Sequence, residues 1–335
     1  MRWLWTSRRL DARLARLALL PAAGLWRLTT AVRDVAAPRG SSQSRSVIPA
    51  IDFANLTVGD SGKGPVVAWA ARHLAATGAE PGVLLRRDSS WARAAFEHAV
   101  PAARVTSAAA ADEGIARLAN AGARVALVET ATPGGDSSAR LRVAVLGAES
   151  TRAVRWPLPA GPWRAPWSAL QDVDFVVITR RRAPREAADE LAQRVAATTS
   201  ARVAIAHLGV RHFESLVSRV EQPAAALAGR RVVAASGSAD PGAFVSQVKA
   251  TGAAVQVATW EAQGELRDED VAWLAHAARR ADYVVISELD AVKLRDRWPA
   301  RVAEPLVAII DLTWECGGEA LAAALDAVVA PAVAG

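Results

Sequence analysis

The feature that most constrains the fold is an alternation of short apolar runs with helical stretches from residue 47 onward. The apolar runs are continuous, which is typical of strands buried on both faces of a parallel sheet. Helical stretches lie between many of these runs. We therefore predict an α/β protein made of two α/β/α domains with mainly parallel sheets. The predicted strands are residues 47–54, 82–85, 124–129, 142–147, 174–179, 202–209, 231–237, 254–259, 283–288 and 306–312, and the predicted helices include 65–77, 184–199, 241–251, 268–280 and 317–330.

The length of 335 residues is sufficient for two domains that each have a core. The stretch WPLPAGPWRAPW at residues 156–167 contains four prolines and one glycine, which exclude a regular element and favour a boundary. We predict an N-terminal helix over residues 1–40, a nucleotide-binding domain over 41–155 and a second α/β domain over 156–335.

The net charge of +6 is concentrated at the N-terminus, because residues 1–40 contain eight arginines and two aspartates and the rest of the chain is neutral. This balance does not favour a nucleic-acid partner. The longest apolar run there, residues 17–26, is about half of the ~20 residues that span a bilayer. We predict an amphipathic helix, broken near Pro21, that lies on an anionic membrane surface. A helix packed on its own domain and a signal peptide are the alternatives. The apolar face carries Trp3, Leu10, Leu14 and Leu17.

A single cysteine, Cys316, excludes an intrachain disulfide and a cysteine-based zinc site. It fits a reducing cytosol. The five histidines show no metal-ligand spacing among themselves, and we interpret them as structural or surface residues. The sequence therefore leaves any metal ligands unknown.

The segment NLTVGDSGKGP, residues 55–65, is similar to a phosphate-binding loop between a strand and a helix. In such loops the backbone N–H groups and the lysine hold nucleotide phosphates, and a Ser or Thr after the lysine binds Mg²⁺. Lys63 is present here, whereas Gly64 replaces the hydroxyl residue. The predicted nucleotide-binding residues are Thr57, Val58, Gly59, Asp60, Ser61, Gly62, Lys63 and Gly64.

Three further stretches follow this loop in the order and at roughly the spacing of one family. They are LPAGPWRAP (158–166), GSADPGAF (237–244) and SELDAVKL (287–294). Together the four stretches resemble the tetraacyldisaccharide 4'-kinases. The resemblance implies a P-loop-type fold and ATP- and Mg²⁺-dependent phosphorylation of a lipid A precursor, tetraacyldisaccharide 1-phosphate. It also implies a peripheral position on the cytoplasmic face of the inner membrane.

Several residues depart from the family's motifs. Glu129 is the one carboxylate left where the family has two aspartates, and it is the candidate to hold Mg²⁺ through a water. The family's catalytic aspartate aligns with Ser89, and Asp88 beside it is a possible substitute. In the Thr-Glu-Lys-Asp motif the lysine is replaced, while Glu288 and Asp290 are retained.

Two hypotheses follow from these matches and departures. The first is a lipid kinase whose catalytic groups are Lys63 and Glu129 and whose metal site is rebuilt. The second is a catalytically silent relative that binds lipid or nucleotide as a regulator or partner. Phosphoryl transfer needs positioning, charge neutralisation and a group that accepts or orients the hydroxyl proton, and each role has lost at least one family residue.

Overall fold

The structure is a computed structural model that describes residues 5, 9–24, 47–58, 61–86, 90–133, 139–149, 156–237, 241–260 and 266–330. The chain divides into two compact units. Unit 1 comprises Met1–Asp88, Val100–Ala206 and Trp314–Gly335, and unit 2 comprises Ser89–Ala99 and His207–Thr313.

The elements alternate between strands and helices along the chain. The strands are β1 (Ala50–Ala54), β2 (Pro81–Leu85), β3 (Arg104–Ser107), β4 (Val125–Glu129), β5 (Leu141–Gly147), β6 (Phe175–Arg180), β7 (Arg202–Ser215), β8 (Glu221–Pro223), β9 (Arg231–Ser236), β10 (Ala254–Thr259), β11 (Tyr283–Ser287) and β12 (Leu306–Cys316). The helices are α1 (Leu10–Ala18), α2 (Lys63–Ala76), α3 (Ser90–Ala99), α4 (Ala111–Asn120), α5 (Arg185–Ala196), α6 (Pro241–Ala250), α7 (Asp268–Ala277), α8 (Glu288–Leu294) and α9 (Gly318–Val329).

Unit 1 contains a parallel sheet with the strand order β6-β5-β1-β4-β2-β3. All five residues of β1 and of β2 are buried, as expected for strands covered on both faces. From β1 the chain runs to β2 and the edge strand β3, returns to β4 beside β1, and then continues through β5 on the other side of β1. The loop after β1 therefore lies where ligands bind in open α/β sheets, at the carboxyl ends of the strands.

Unit 2 contains the parallel strands β10-β9-β11-β12, which are joined in that order. The end of β7 forms an antiparallel pair with β8. Strands β7 and β12 each have residues in both units. The parallel strands in both units confirm the predicted α/β fold class.

Among the residues that the structure describes, the apolar runs predicted ten of twelve strands, and they did not predict β3 and β8. β3 is half-buried and reads Arg-Val-Thr-Ser, and β8 has only three residues, so neither forms an apolar run. The division of the chain also differs from the compositional boundary, since residues 156–167 lie within unit 1. The C-terminal helix α9 likewise belongs to unit 1, although it follows unit 2 in the sequence. Amino-acid composition does not indicate that the last segment of a chain packs on the first unit.

The N-terminal helix α1 exposes its leucines and buries Ala12 and Arg16 on the other side. Leu10, Leu14 and Leu17 are 75%, 65% and 51% exposed, whereas Ala12 and Arg16 are buried. A turn at Leu19 ends α1 and residues 20–24 are helical again, so the interruption lies close to the predicted break at Pro21. Trp3 lies outside the described residues. Within the described part of the chain, every helix is too short or too polar to cross a bilayer.

Gly161 in the Pro-Ala-Gly-Pro turn is required by close packing. A Cβ atom at this position would lie 2.2 Å from the carbonyl oxygen of Trp156, and backbone cannot move away as a flexible side chain can. We expect Gly161→Ala to lower the free energy of unfolding by about 2–3 kcal/mol, measured by urea denaturation. Gly24→Ala is the matched control, because a Cβ there meets none of the described atoms within 4 Å. Equal stability of the two variants would contradict this explanation of the turn.

Candidate functional site

The predicted phosphate-binding loop connects β1 to α2 in unit 1. Gly62 has φ = +76° and directly precedes the first residue of α2. A left-handed residue before a helix exposes successive backbone N–H groups, and the helix N-terminus adds partial positive charge. Gly59 and Asp60 lie outside the described residues. The described part of the loop therefore has the backbone of an anion-binding turn.

Lys63 begins α2 and extends toward the end of β4. Its Nζ donates to the carbonyl oxygen of Thr130 at 2.6 Å and lies 3.6 Å from Oε1 of Glu129. Glu129 is the last residue of β4, which pairs directly with β1. Burial lowers the pKa of Lys63, as does the charge of Arg164, whereas Glu129 and Asp52 act in the opposite direction. The structure thus brings together the two residues that the sequence analysis named as catalytic.

Asp52 is a third charged residue of this site, and it was not among the residues predicted from the sequence. It lies within β1, is 2% exposed, and accepts a hydrogen bond from the Thr130 hydroxyl at 2.6 Å. Burial raises its pKa to about 6, although the Thr130 hydrogen bond and the charges of Lys63, Arg142 and Arg86 lower it. The available signal was a lone carboxylate inside the apolar run VIPAIDFA.

The buried Asp52 carboxylate predicts a pH-dependent stability. Because its pKa in the folded state is raised above the ordinary 3.8, its contribution is favourable at low pH and is lost as pH rises through about 6. We expect Asp52→Asn to change stability little at pH 4 and to stabilise the protein by roughly 2–3 kcal/mol at pH 8. The measurement is urea unfolding at both pH values. A constant difference would contradict the assignment, and exposed Asp172→Asn is the control.

Ser61 stabilises the loop from inside. It is buried, its Oγ accepts a hydrogen bond from Nδ2 of Asn55 at 3.3 Å, and its carbonyl oxygen accepts one from Thr179 Oγ1 at 2.7 Å. Nδ2 of Asn55 also donates to the Thr57 carbonyl oxygen at 2.8 Å. The Ser61 hydroxyl therefore contributes to loop packing, which supports a structural role for it.

The Pro-Ala-Gly-Pro turn binds directly to the same loop. The Val58 N–H donates to the Pro162 carbonyl at 2.7 Å, and the Arg164 N–H donates to the Leu56 carbonyl at 2.8 Å. Thr57 and Trp163 form an antiparallel bridge between the two segments. Two motifs that are about 100 residues apart in the sequence therefore form one substructure. Arg164, which the sequence analysis did not single out, is thereby placed close enough to Lys63 to affect its pKa.

The position that supplies a metal ligand in an ordinary P-loop holds glycine here. Gly64, the second residue of α2, offers no side-chain oxygen. The carboxylate of Glu129 supplies a hard oxygen ligand beside Lys63, and Mg²⁺ is commonly held by one or two carboxylates and several waters. Glu129 thus suits Mg²⁺ better than the loop itself does. Ser89 and Asp88 lie outside the described residues, so the proton acceptor stays a prediction.

Glu288 and Asp290 lie in unit 2, at the start of α8. Asp290 is 2% exposed and accepts hydrogen bonds from the Gly237 N–H at 3.1 Å and from the Ser287 hydroxyl at 2.5 Å. Ser287 caps the helix by accepting from the Asp290 N–H at 3.2 Å. Asp290 therefore joins the start of α8 to the loop after β9, and burial raises its pKa. This arrangement supports a structural role for Asp290.

Comparison with known proteins gives one consistent result. The family model described as tetraacyldisaccharide-1-P 4'-kinase matches residues 15–130 and 138–330. Tetraacyldisaccharide 4'-kinases from Anaeromyxobacter sp. strain K and strain Fw109-5 are 32% and 31% identical. These alignments cover 90% and 93% of this chain and 89% and 91% of the relatives.

A solved structure supports the fold. The crystal structure of LpxK from Aquifex aeolicus in complex with ATP aligns with a TM-score of 0.66 at 16% identity. The alignment covers 94% of this chain and 99% of that chain. The sequence matches and the shared fold are consistent with the loop and turn motifs described above. This chain therefore belongs to the tetraacyldisaccharide 4'-kinase family.

Proposed function

We propose that this chain is an ATP-dependent lipid kinase, which phosphorylates the 4' hydroxyl of tetraacyldisaccharide 1-phosphate in lipid A biosynthesis. The observation that carries the proposal is the position of Lys63, which starts a helix after a left-handed glycine and lies beside Glu129. This position suits an ammonium that binds nucleotide phosphates. Membership of the family supports the substrate class.

The residues of the site would act mainly by positioning and charge neutralisation. The N–H groups at the start of α2 would bind phosphate oxygens, and Lys63 would exchange its bond to Thr130 for contacts with the phosphates. Arg164 would add a second positive charge close to Lys63. Glu129 would hold Mg²⁺ through water, and when bound the ion would neutralise charge on the β- and γ-phosphate oxygens.

The membrane surface is the proposed place of action. The exposed leucines of α1 form an apolar stripe, and the basic N-terminal segment would attract anionic lipid headgroups. An acylated disaccharide is itself held in a bilayer, so a kinase on the surface meets its substrate without extracting it. We propose peripheral binding at the cytoplasmic face of the inner membrane, where ATP is available.

A second candidate function is a silent relative that binds nucleotide or lipid as a regulator. It is favoured by Gly64, which cannot bind the metal, and by Lys63, whose ammonium is already bonded within the protein. The deciding experiment is transfer of the γ-phosphoryl group from ATP to tetraacyldisaccharide 1-phosphate in mixed micelles by the full-length protein. Phosphorylated lipid that forms only with ATP supports the kinase. ATP binding without any product supports the silent function.

The missing hydroxyl at Gly64 predicts weak dependence of nucleotide binding on Mg²⁺. We expect Mg²⁺ to tighten ATP binding by less in the natural protein than in Gly64→Thr, where the new hydroxyl restores a metal ligand. Titration of ATP with and without Mg²⁺ measures both values. If Mg²⁺ strongly tightens binding in the natural protein and Gly64→Thr leaves this effect unchanged, another residue holds the metal. Glu129→Gln, which keeps the shape of the side chain, then tests whether that residue is Glu129.

A further inference from the structure

The β7–β8 hairpin in unit 2 brings together three metal-ligating side chains. In the antiparallel ladder Glu214 lies directly opposite Glu221, and His212 lies two residues before Glu214 on the same face. Two carboxylates that face each other across a strand pair repel and destabilise the pair unless a positive charge lies between them. The hairpin therefore presents one imidazole and two carboxylates to the same space.

The spacing of the three ligand atoms is suited to a single metal ion. His212 Nε2 lies 3.2 Å from Glu214 Oε1 and 3.9 Å from Glu221 Oε1, and each residue offers an atom within 4.8 Å of the others. Ligands around a tetrahedral ion with bonds of about 2.0–2.1 Å are roughly 3.3 Å apart. The Glu221 side chain is 74% exposed, so packing does not prevent it from rotating toward the other two ligands.

The surrounding charges fix the orientation of Glu214. Arg219 Nη1 lies 3.2 Å from Glu214 Oε2 and donates to Nε2 of His98 at 2.6 Å. Nε2 of His98 also lies 3.3 Å from Glu214 Oε2. Arg219 thus occupies one oxygen of Glu214 and leaves the other, Oε1, toward His212. Such an outer partner orients a metal-binding carboxylate.

We propose that His212, Glu214 and Glu221 form a binding site for a divalent metal ion of the zinc class, separate from any Mg²⁺ at the nucleotide loop. One nitrogen and two carboxylate oxygens are ligands that Zn²⁺ accepts, and a water completes the tetrahedron. The ion neutralises the two facing glutamates and fixes the β7–β8 turn. Arg219 limits the affinity, because its positive charge repels the ion.

The test is titration of Zn²⁺ into the untagged full-length protein without nucleotide, followed by isothermal calorimetry. The Cys316→Ser background removes the exposed thiol, which is itself a zinc ligand. We expect one equivalent of Zn²⁺ to bind with a dissociation constant of roughly micromolar order. His212→Ala and Glu221→Gln should each weaken binding at least about tenfold. Co²⁺ substitution should give visible absorption bands that disappear in both variants.

Two features keep the test decisive. His276→Ala removes an exposed histidine of α7 and should leave the affinity unchanged. Glu221→Gln changes a largely exposed side chain, so this variant should fold even if His212→Ala does not. Absence of bound Zn²⁺ in the natural sequence overturns the proposal. Equal affinities of the natural protein and the Glu221→Gln variant also overturn it.

Discussion

Replacing Lys63 by alanine is expected to reduce ATP-dependent phosphoryl transfer by about 10²–10³-fold or more, as loss of a preorganised charge at a reacting group does. Lys63 is the cation at the start of α2, and its Nζ lies between the Thr130 carbonyl and the Glu129 carboxylate. The ammonium would contact the phosphates, so ATP binding should weaken together with turnover. Steady-state kinetics and equilibrium ATP titration measure the two effects.

The matched control is Lys249→Ala, which removes one of the other two lysines from an exposed position in α6. Its activity and affinity should equal those of the natural protein. Full activity in Lys63→Ala would show that this lysine is a structural partner of Glu129 and that the phosphates bind elsewhere. A third outcome is that the natural protein binds ATP without phosphorylating the lipid and that Lys63→Ala loses this binding. The loop would then still be the ATP-binding site, and the silent function would be favoured.

Replacing Leu10, Leu14 and Leu17 together by glutamine is expected to release most of the protein from anionic vesicles. These side chains are exposed in the structure, and burying one leucine in an apolar phase contributes about 1.5–3 kcal/mol. Loss of three should lower the vesicle partition coefficient by at least about a hundredfold. Sedimentation with vesicles of phosphatidylglycerol and phosphatidylethanolamine measures the partitioning.

Two controls separate the leucine stripe from the charge and from general apolarity. Val257→Gln changes an exposed apolar residue of β10 and should leave membrane binding unchanged. Binding of the natural protein should weaken as salt rises from 0.05 to about 0.5 M, because screening acts on the arginines and leaves apolar burial intact. If the triple variant sediments as completely as the natural protein, the leucine face of α1 binds no membrane.

Much of the nucleotide loop could be predicted from residues that are close in sequence. The pair Gly62–Lys63 precedes the helix predicted at 65–77, and in the structure Gly62 is left-handed and Lys63 already begins α2. The loop conformation depends on neighbouring residues, so the stretch at 55–65 is sufficient to predict the loop. Asp52 escaped prediction because its significance depends on Thr130, which lies 78 residues later and donates to it only after β1 and β4 pair.

Sequence patterns are sufficient to predict the α/β class, the glycine-rich loop before α2 and the apolar stripe of α1, because each follows from periodicity or from backbone preferences within about ten residues. Which distant groups meet depends on the tertiary structure. Glu214 faces Glu221 because of the strand register, and Val58 bonds to Pro162 because the turn folds back on the loop. The strand register and the contacts between distant segments depend on the packing of many residues together. A short stretch of sequence is therefore insufficient to predict them.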